Sequence, residues 1–174
     1  MIKEKKCKNC KDYFKPRTSL QKYCVKYDCI KVFISQQNAK EWKKRKVKMK
    51  TDLMTLQDYI KIAQQVFNKW IRQRDKGLNC ISCDKEAKKE NCGHYHNANN
   101  HWSVRFDEDN CHLQCEHCNT YLSGNLIPYR ENLIKKIGQE RYDILSAKAN
   151  ETRKFTKEEV QEIINEYKKR LKNI

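Results

Sequence analysis

Apolar residues recur at three- and four-residue steps through Leu56, Tyr59, Ile60, Ala63, Val66, Phe67, Trp70 and Ile71, which places them on one stripe of a helix. Thr55-Leu-Gln-Asp58 approximates a capping box at the start. Asp75-Lys-Gly77 ends the run near Arg74, with Gly77 as the C-cap. The stripe reads as core, packed on the segment that follows. Downstream, Tyr129, Leu133, Ile134 and Ile137 predict a helix with Pro128 in its first turn and Gly138 at its close. Tyr142, Ile144 and Leu145 belong to another short helix. Thr156-x-x-Glu159 caps a final one carrying Val160, Ile163, Ile164, Tyr167 and Leu171 on one face. From about Lys31 to Lys50 neither Gly nor Pro interrupts a basic helix, in which Trp42 either packs or stacks on a base, packing being the simpler reading. Trp-Ser-Val-Arg-Phe at 102–106 is strand-like, and Ser123-Gly-Asn125 makes a turn.

This apolar content, 38% of 174 residues, is thin for one large core, so something besides hydrophobic burial must help the chain fold. Ten cysteines supply the candidate, because eight of them fall in paired, ligand-like spacings. No apolar signal segment opens the sequence, which points to a reducing bacterial cytoplasm and to metal rather than disulfides. No apolar run approaches the length of a membrane span, and no membrane partner is expected.

Cys80, Cys83, Cys115 and Cys118 form a four-thiolate set with thirty-one residues between its inner members. Two thiolates separated by two residues grip one edge of a tetrahedral ion from a single turn, so these four predict a structural Zn²⁺ that holds two strands and a helix start together. A closed four-thiolate site has no open position for chemistry. Cys7, Cys10, Cys24 and Cys29 predict a second zinc knuckle in a segment too short to fold on burial alone. The expected organisation is a knuckle over 1–30, a basic helix or linker over 31–50, a zinc-stapled core with leading and trailing helices over 51–145, and a capping-box helix over 146–174. The fold class is α+β, mostly helical. Cys92 and Cys111 remain as buried thiols.

The charge is uneven. Residues 1–50 hold 17 Lys and Arg against Glu4, Asp12, Asp28 and Glu41, or +13 of the chain's formal +16. Such concentration is the footprint of a polyanion binder. Lys40, Lys43, Lys44, Arg45, Lys46, Lys48 and Lys50 are the candidate DNA contacts.

Between the knuckles lie His94, His96, Asn110, His112 and, directly after the last zinc cysteine, Asn119. Phosphodiester hydrolysis needs a base to activate water and a cation to stabilise the leaving oxygen, and neutral imidazole suits the first task near pH 7. On a strand, Asn110, His112 and Gln114 share one face by period two. His112 is therefore either part of a site on that face or bonded to backbone near the zinc loop. For His96 a structural role is the simpler reading.

Residues 80–119 resemble the HNH endonucleases, and the whole chain is similar to the NinG (Rap) recombination endonucleases of lambdoid phages. The resemblance rests on Lys-Cys-Lys-Asn-Cys at 6–10, Phe14, Pro16, Phe67-Asn68, Ile71-Arg-Gln-Arg-Asp75, Cys80-Ile-Ser-Cys83, Gly93-His-Tyr95, Arg105-Phe106 and Asn110. It continues through His112, Gln114-Cys115, Cys118-Asn119, Ser123-Gly-Asn125, Tyr129-Arg130 and Ile137-Gly138. It implies a ββα-metal, treble-clef-like nuclease core, phage or prophage origin, and metal-dependent cleavage of branched DNA such as Holliday junctions and displacement loops. By it His94 is the general base, Asn110 orients it, and Asn119 ligates a catalytic divalent cation, Mg²⁺ or Mn²⁺. One position departs: where many HNH enzymes carry an aspartate or histidine just before the base, this chain has Gly93. Either His94 is itself a ligand beside another base, or His96 or His112 completes the site. Two cuts per junction make a homodimer attractive, and the last helix either supplies its interface or covers the core. The competing expectation is a non-catalytic zinc adaptor that binds nucleic acid.

Overall fold

The computed structural model describes residues 3–173. It is a mixed α+β structure with two two-stranded antiparallel sheets, and it divides into two compact units, Met1–Met54 and Thr55–Ile174.

In the first unit β1 (Lys5–Lys6) pairs with β2 (Tyr13–Phe14), and α1 runs from Tyr27 to Asp52. Its buried hydrophobic cluster is Cys7, Cys24 and Cys29, with Cys10, Phe14 and Tyr23 packed against them. The long helix presents no apolar stripe; of its residues only Cys29 is buried. Trp42 is 62% exposed, so the packing role expected of it is not found. A helix that is polar all round has no face to press on a core.

The second unit is built on α2 (Leu56–Arg74), whose capping box forms as its sequence predicts: Asp58 N–H donates to the Thr55 hydroxyl, and the Asp58 carboxylate accepts from Thr55 N–H. β3 (Glu90–His94) and β4 (Cys111–Cys115) form a hairpin against it, and α5 (Lys157–Arg170) packs on its other side. The stripe thus meets the segment that follows, as expected, and α5 as well. Phe67 joins the layers, with its ring edge-to-face against Tyr167 at 4.9 Å and against Phe106 at 5.8 Å. Fully burying a side chain of this size stabilises by about 2–3 kcal/mol, and edge-to-face pairing adds a fraction more.

A separate cluster joins Val104, Tyr129, Leu133, Tyr142 and Leu145 between the hairpin's far side, α3 (Leu126–Ile137) and α4 (Gln139–Ala149). Gly138 closes α3 at φ +85°. The segment read as strand-like at 102–106 is instead a 3₁₀ turn over Trp102–Val104. Ser103 donates its hydroxyl to the Lys148 carbonyl and Trp102 donates its indole N–H to the Asn99 carbonyl, so local and helix-end bonds replace a ladder.

Candidate functional site

The two cysteine sets are built from the same turn. In the first, Cys7 N–H donates to the Asp12 carbonyl and Lys11 N–H to the Cys7 carbonyl; in the second, Cys80 N–H donates to Lys85 and Asp84 N–H to Cys80. Lys11 and Asp84, at matching positions, both take left-handed backbone, φ 65° and 54°. Cys24, just before α1, and Cys29, in its first turn, close the first set; Cys115 and Cys118 close the second from the end of β4 and the π-helical turn His117–Tyr121.

All ligand atoms within each set of four lie within 4.8 Å of one another. Cys10 Sγ and Cys24 Sγ are 3.7 Å apart, and Cys83 Sγ and Cys115 Sγ 3.9 Å. A zinc tetrahedron with Zn–S of about 2.3 Å has an edge of about 3.8 Å, so the sulfurs already stand at ligand spacing. Donors surround them: Cys24 N–H reaches Cys7 Sγ at 3.3 Å, Cys118 N–H reaches Cys115 Sγ at 3.4 Å, and the Asn125 amide reaches Cys118 Sγ at 3.6 Å. Groups that donate to sulfur favour thiolate, the form a metal binds. Both sets could hold a structural metal such as zinc, and no disulfide competes among the described cysteines.

The four-thiolate set at Cys80 staples the hairpin that carries the histidine. His94 stands opposite Cys111 in the ladder and Cys92 opposite Leu113, so His94, Cys92 and Cys111 share the face turned to α2. Gln64, on α2, lies with Nε2 3.2 Å from His94 Nε2 and donates to Asn68 Oδ1 at 2.7 Å. Burial pushes the imidazole down to about 4, with a backbone hydrogen bond to Arg105 working the other way. At neutral pH His94 is therefore uncharged, with a basic nitrogen available to accept.

Asn110 is fully buried and spends its whole amide on backbone. Oδ1 accepts from His96 N–H at 2.7 Å, and Nδ2 donates to the carbonyls of His96 and Val104, both at 3.0 Å. It clamps the chain leaving β3 rather than touching the His94 ring directly. His96 Nε2 is buried without a hydrogen-bond partner, and its ring lies 5.2 Å from that of His101. Asn119 is half-buried in the turn after Cys118, and its amide makes no hydrogen bond among the described residues.

His112 lies on the opposite face of the hairpin, paired with Gly93 and directed toward Tyr129, whose hydroxyl is 3.5 Å from Nδ1. Burial, with Lys136 and Arg74 nearby, depresses its imidazole to about 3. That face also explains Gly93: a β-carbon there would come within 2.9 Å of Gln114 Cβ. Gln114, itself buried, donates to Ser82 Oγ and to the Gly124 carbonyl, so it cannot move aside cheaply. A side chain at position 93 would point away from His94 in any case.

Gln64 is absent from the expectations drawn from sequence; its only signal is that Ile60, Gln64, Asn68 and Ile71 follow at helical steps, two polar positions at the edge of an apolar stripe. The seven basic residues Lys40, Lys43, Lys44, Arg45, Lys46, Lys48 and Lys50 are all exposed on α1. Among the described residues no helix is long and apolar enough to cross a membrane.

Comparison with known proteins agrees along the entire length. The family described as "NinG: Bacteriophage Lambda NinG protein" matches residues 1–174. Protein ninG of Escherichia phage 933W is 36% identical over 188 residues, covering 98% of this chain and 93% of the relative. The proteins ninG of Escherichia phage lambda and Salmonella phage P22 are 35% and 33% identical over 190 residues with the same coverage. No solved structure matches the chain. With two cysteine sets at ligand spacing and full-length similarity to phage relatives, this chain belongs to the NinG family of lambdoid phages.

Proposed function

We propose that the chain is a metal-dependent, structure-selective DNA endonuclease of the HNH type, acting on branched recombination intermediates such as Holliday junctions and displacement loops in the bacterial cytoplasm. The observation that carries this reading is His94: a neutral imidazole held by Gln64 on a hairpin whose loop is clamped by Asn110 and whose base is stapled by four cysteines. A hairpin followed by a turn bearing Asn119, around a zinc staple, suits a treble-clef-like ββα-metal core. In that role His94 takes a proton from the attacking water once Gln64 yields its place to it, and Asn110 keeps the loop, and so the ring, in position.

Asn119 offers a free amide oxygen, a hard donor suited to Mg²⁺ or Mn²⁺; with His94 as a second candidate ligand it would hold a divalent cation whose chemistry is to stabilise charge on the leaving oxygen. The exposed lysines of α1 engage phosphates. Selectivity is then a matter of backbone placement at a branch point rather than of base contacts. Two coordinated cuts favour action as a homodimer.

One observation favours a second reading, a non-catalytic zinc adaptor on nucleic acid. Among the described residues Gln64 is the only side chain hydrogen-bonded to His94, and no carboxylate joins the group of Cys92, His94 and Cys111. Incubating the protein with a synthetic four-way junction and Mg²⁺ separates the two. Cutting by wild type that His94→Ala and Asn119→Ala abolish supports the nuclease; a junction shifted in a gel but never cut supports the adaptor; variants that cut as well as wild type sink the site assignment.

A further inference from the structure

The face of the hairpin that carries His94 holds a third group of metal-binding side chains that the zinc staples do not use. Cys92, His94 and Cys111 present Sγ, ring nitrogen and Sγ within 4.8 Å of one another. They stand together because of strand geometry: Cys92 and His94 are two residues apart on β3, and Cys111 is the ladder partner of His94. We propose that these three residues form a third, thiophilic metal site, taking Zn²⁺ or a similar soft divalent ion, and that its occupation silences His94.

The ligand set is two thiols and an imidazole, the donors that select zinc and its soft neighbours over Mg²⁺. Each cysteine gives its proton to solvent as its sulfur–metal bond forms, and no electron changes hands. The resulting unit of one dication, two thiolates and one neutral imidazole carries no net charge, which suits the apolar shell of Phe67, Trp70 and Ile71 around the two cysteines. Cys111 is not exposed at all.

A second observation marks the place. Gln64 directs one end of its amide at His94 Nε2, and its Oε1 is buried with no hydrogen-bond partner. Three protein ligands leave a zinc ion one open position, and Gln64 is the side chain in contact with the His94 ring beside them. A metal on either ring nitrogen takes that nitrogen's lone pair and draws electron density from the whole imidazole, so the other nitrogen becomes a weaker base. Occupation of the site therefore suppresses general-base action by His94, and this second half of the proposal rests on the nuclease reading.

The test uses the full-length protein. Zinc content is measured after equilibration with a weak chelator, then Zn²⁺ is titrated against a fluorescent zinc indicator, and Co²⁺ binding is followed by its thiolate charge-transfer and visible absorption. Wild type should take up three equivalents. Cys92→Val and Cys111→Val should take up two and lose the Co²⁺ spectrum of the third. Cys92, at the partly accessible edge, carries the test if the Cys111 variant fails to fold, as judged by circular dichroism. No more than two equivalents in wild type, or a third that survives both substitutions, overturns the site. In the junction assay with Mg²⁺, filling the third site should slow wild type at least tenfold and leave Cys92→Val unaffected. Unchanged cutting with the site filled overturns the silencing. A third equivalent without any cutting under any condition upholds the site while the nuclease reading falls.

Discussion

Asn110 and His96 are joined twice, with the Asn110 amide oxygen accepting from His96 N–H and its nitrogen donating to the His96 carbonyl. A third bond runs to the Val104 carbonyl. All three lie in a buried site, so Asn110→Ala should cost about 2–4 kcal/mol, since truncation leaves backbone groups unpaired. Chemical denaturation measures the loss; in the junction assay the variant should also cut poorly, because the loop after β3 is released.

Gly93→Asp is expected to disrupt the site, although it matches the more usual HNH pattern. Its β-carbon would strike Gln114, and its carboxylate would enter the buried face shared with His112 and Tyr129. Overpacking and an unpaired buried charge together should remove about 3 kcal/mol or more. A thermal melt reads the loss; a variant of wild-type stability that cuts faster would refute this account of position 93.

Metal removal should act first on the Met1–Met54 unit. Its buried hydrophobic cluster is three cysteines, whereas Thr55–Ile174 retains the aromatic core around Phe67. A strong chelator, or Cys24→Ser, should open residues 3–26 to trypsin while α2 and α5 stay protected.

Asp75 is buried, bonded to Arg74 through both oxygens, and accepts from Leu113 N–H at 3.0 Å. Burial works to raise its carboxyl, but Arg74, the Leu113 N–H and Lys136 outweigh it, so the net shift is downward. A folded value below the unfolded one, ~3.9, means the stabilisation is complete above that pH and is lost as pH falls through the folded value. Asp75→Asn should cost about 3 kcal/mol at pH 7 and flatten the acid limb of stability against pH.

Replacing Lys43, Lys44, Arg45 and Lys46 with glutamine should make log affinity for junction DNA fall less steeply with log salt. The slope should shrink by about 0.9 for each phosphate that these side chains neutralise. An unchanged slope would place the DNA elsewhere than α1.

Much of the framework could be read from residue spacing. The capping boxes at Thr55 and Thr156 form as written, Gly138 closes α3, and both cysteine sets assemble, because each depends on bonds among near neighbours or on ligand chemistry that tolerates little else. What spacing could not supply was which way the hairpin faces. Period two groups Asn110, His112 and Gln114 but is silent on whether they look toward α2 or α3; that is decided by the Tyr129 and Phe67 clusters, which are remote in sequence. The 3₁₀ turn at Trp102 was hidden for a related reason, since its aromatic and β-branched residues suit a strand and a local bond to Asn99 with a tertiary one to Lys148 turns them aside.

Cys115 is at once the last residue of β4, the ladder partner of Glu90 and a member of the four-thiolate set. A slip of one residue between the strands would exchange the hairpin's two surfaces, turning His94 toward Tyr129 and Gly93 toward Gln64. Such a slip would drag Cys115 away from Cys80 and Cys83, so a metal held by the four thiolates would act as an index mark on the ribbon, fixing the phase in which its side chains alternate.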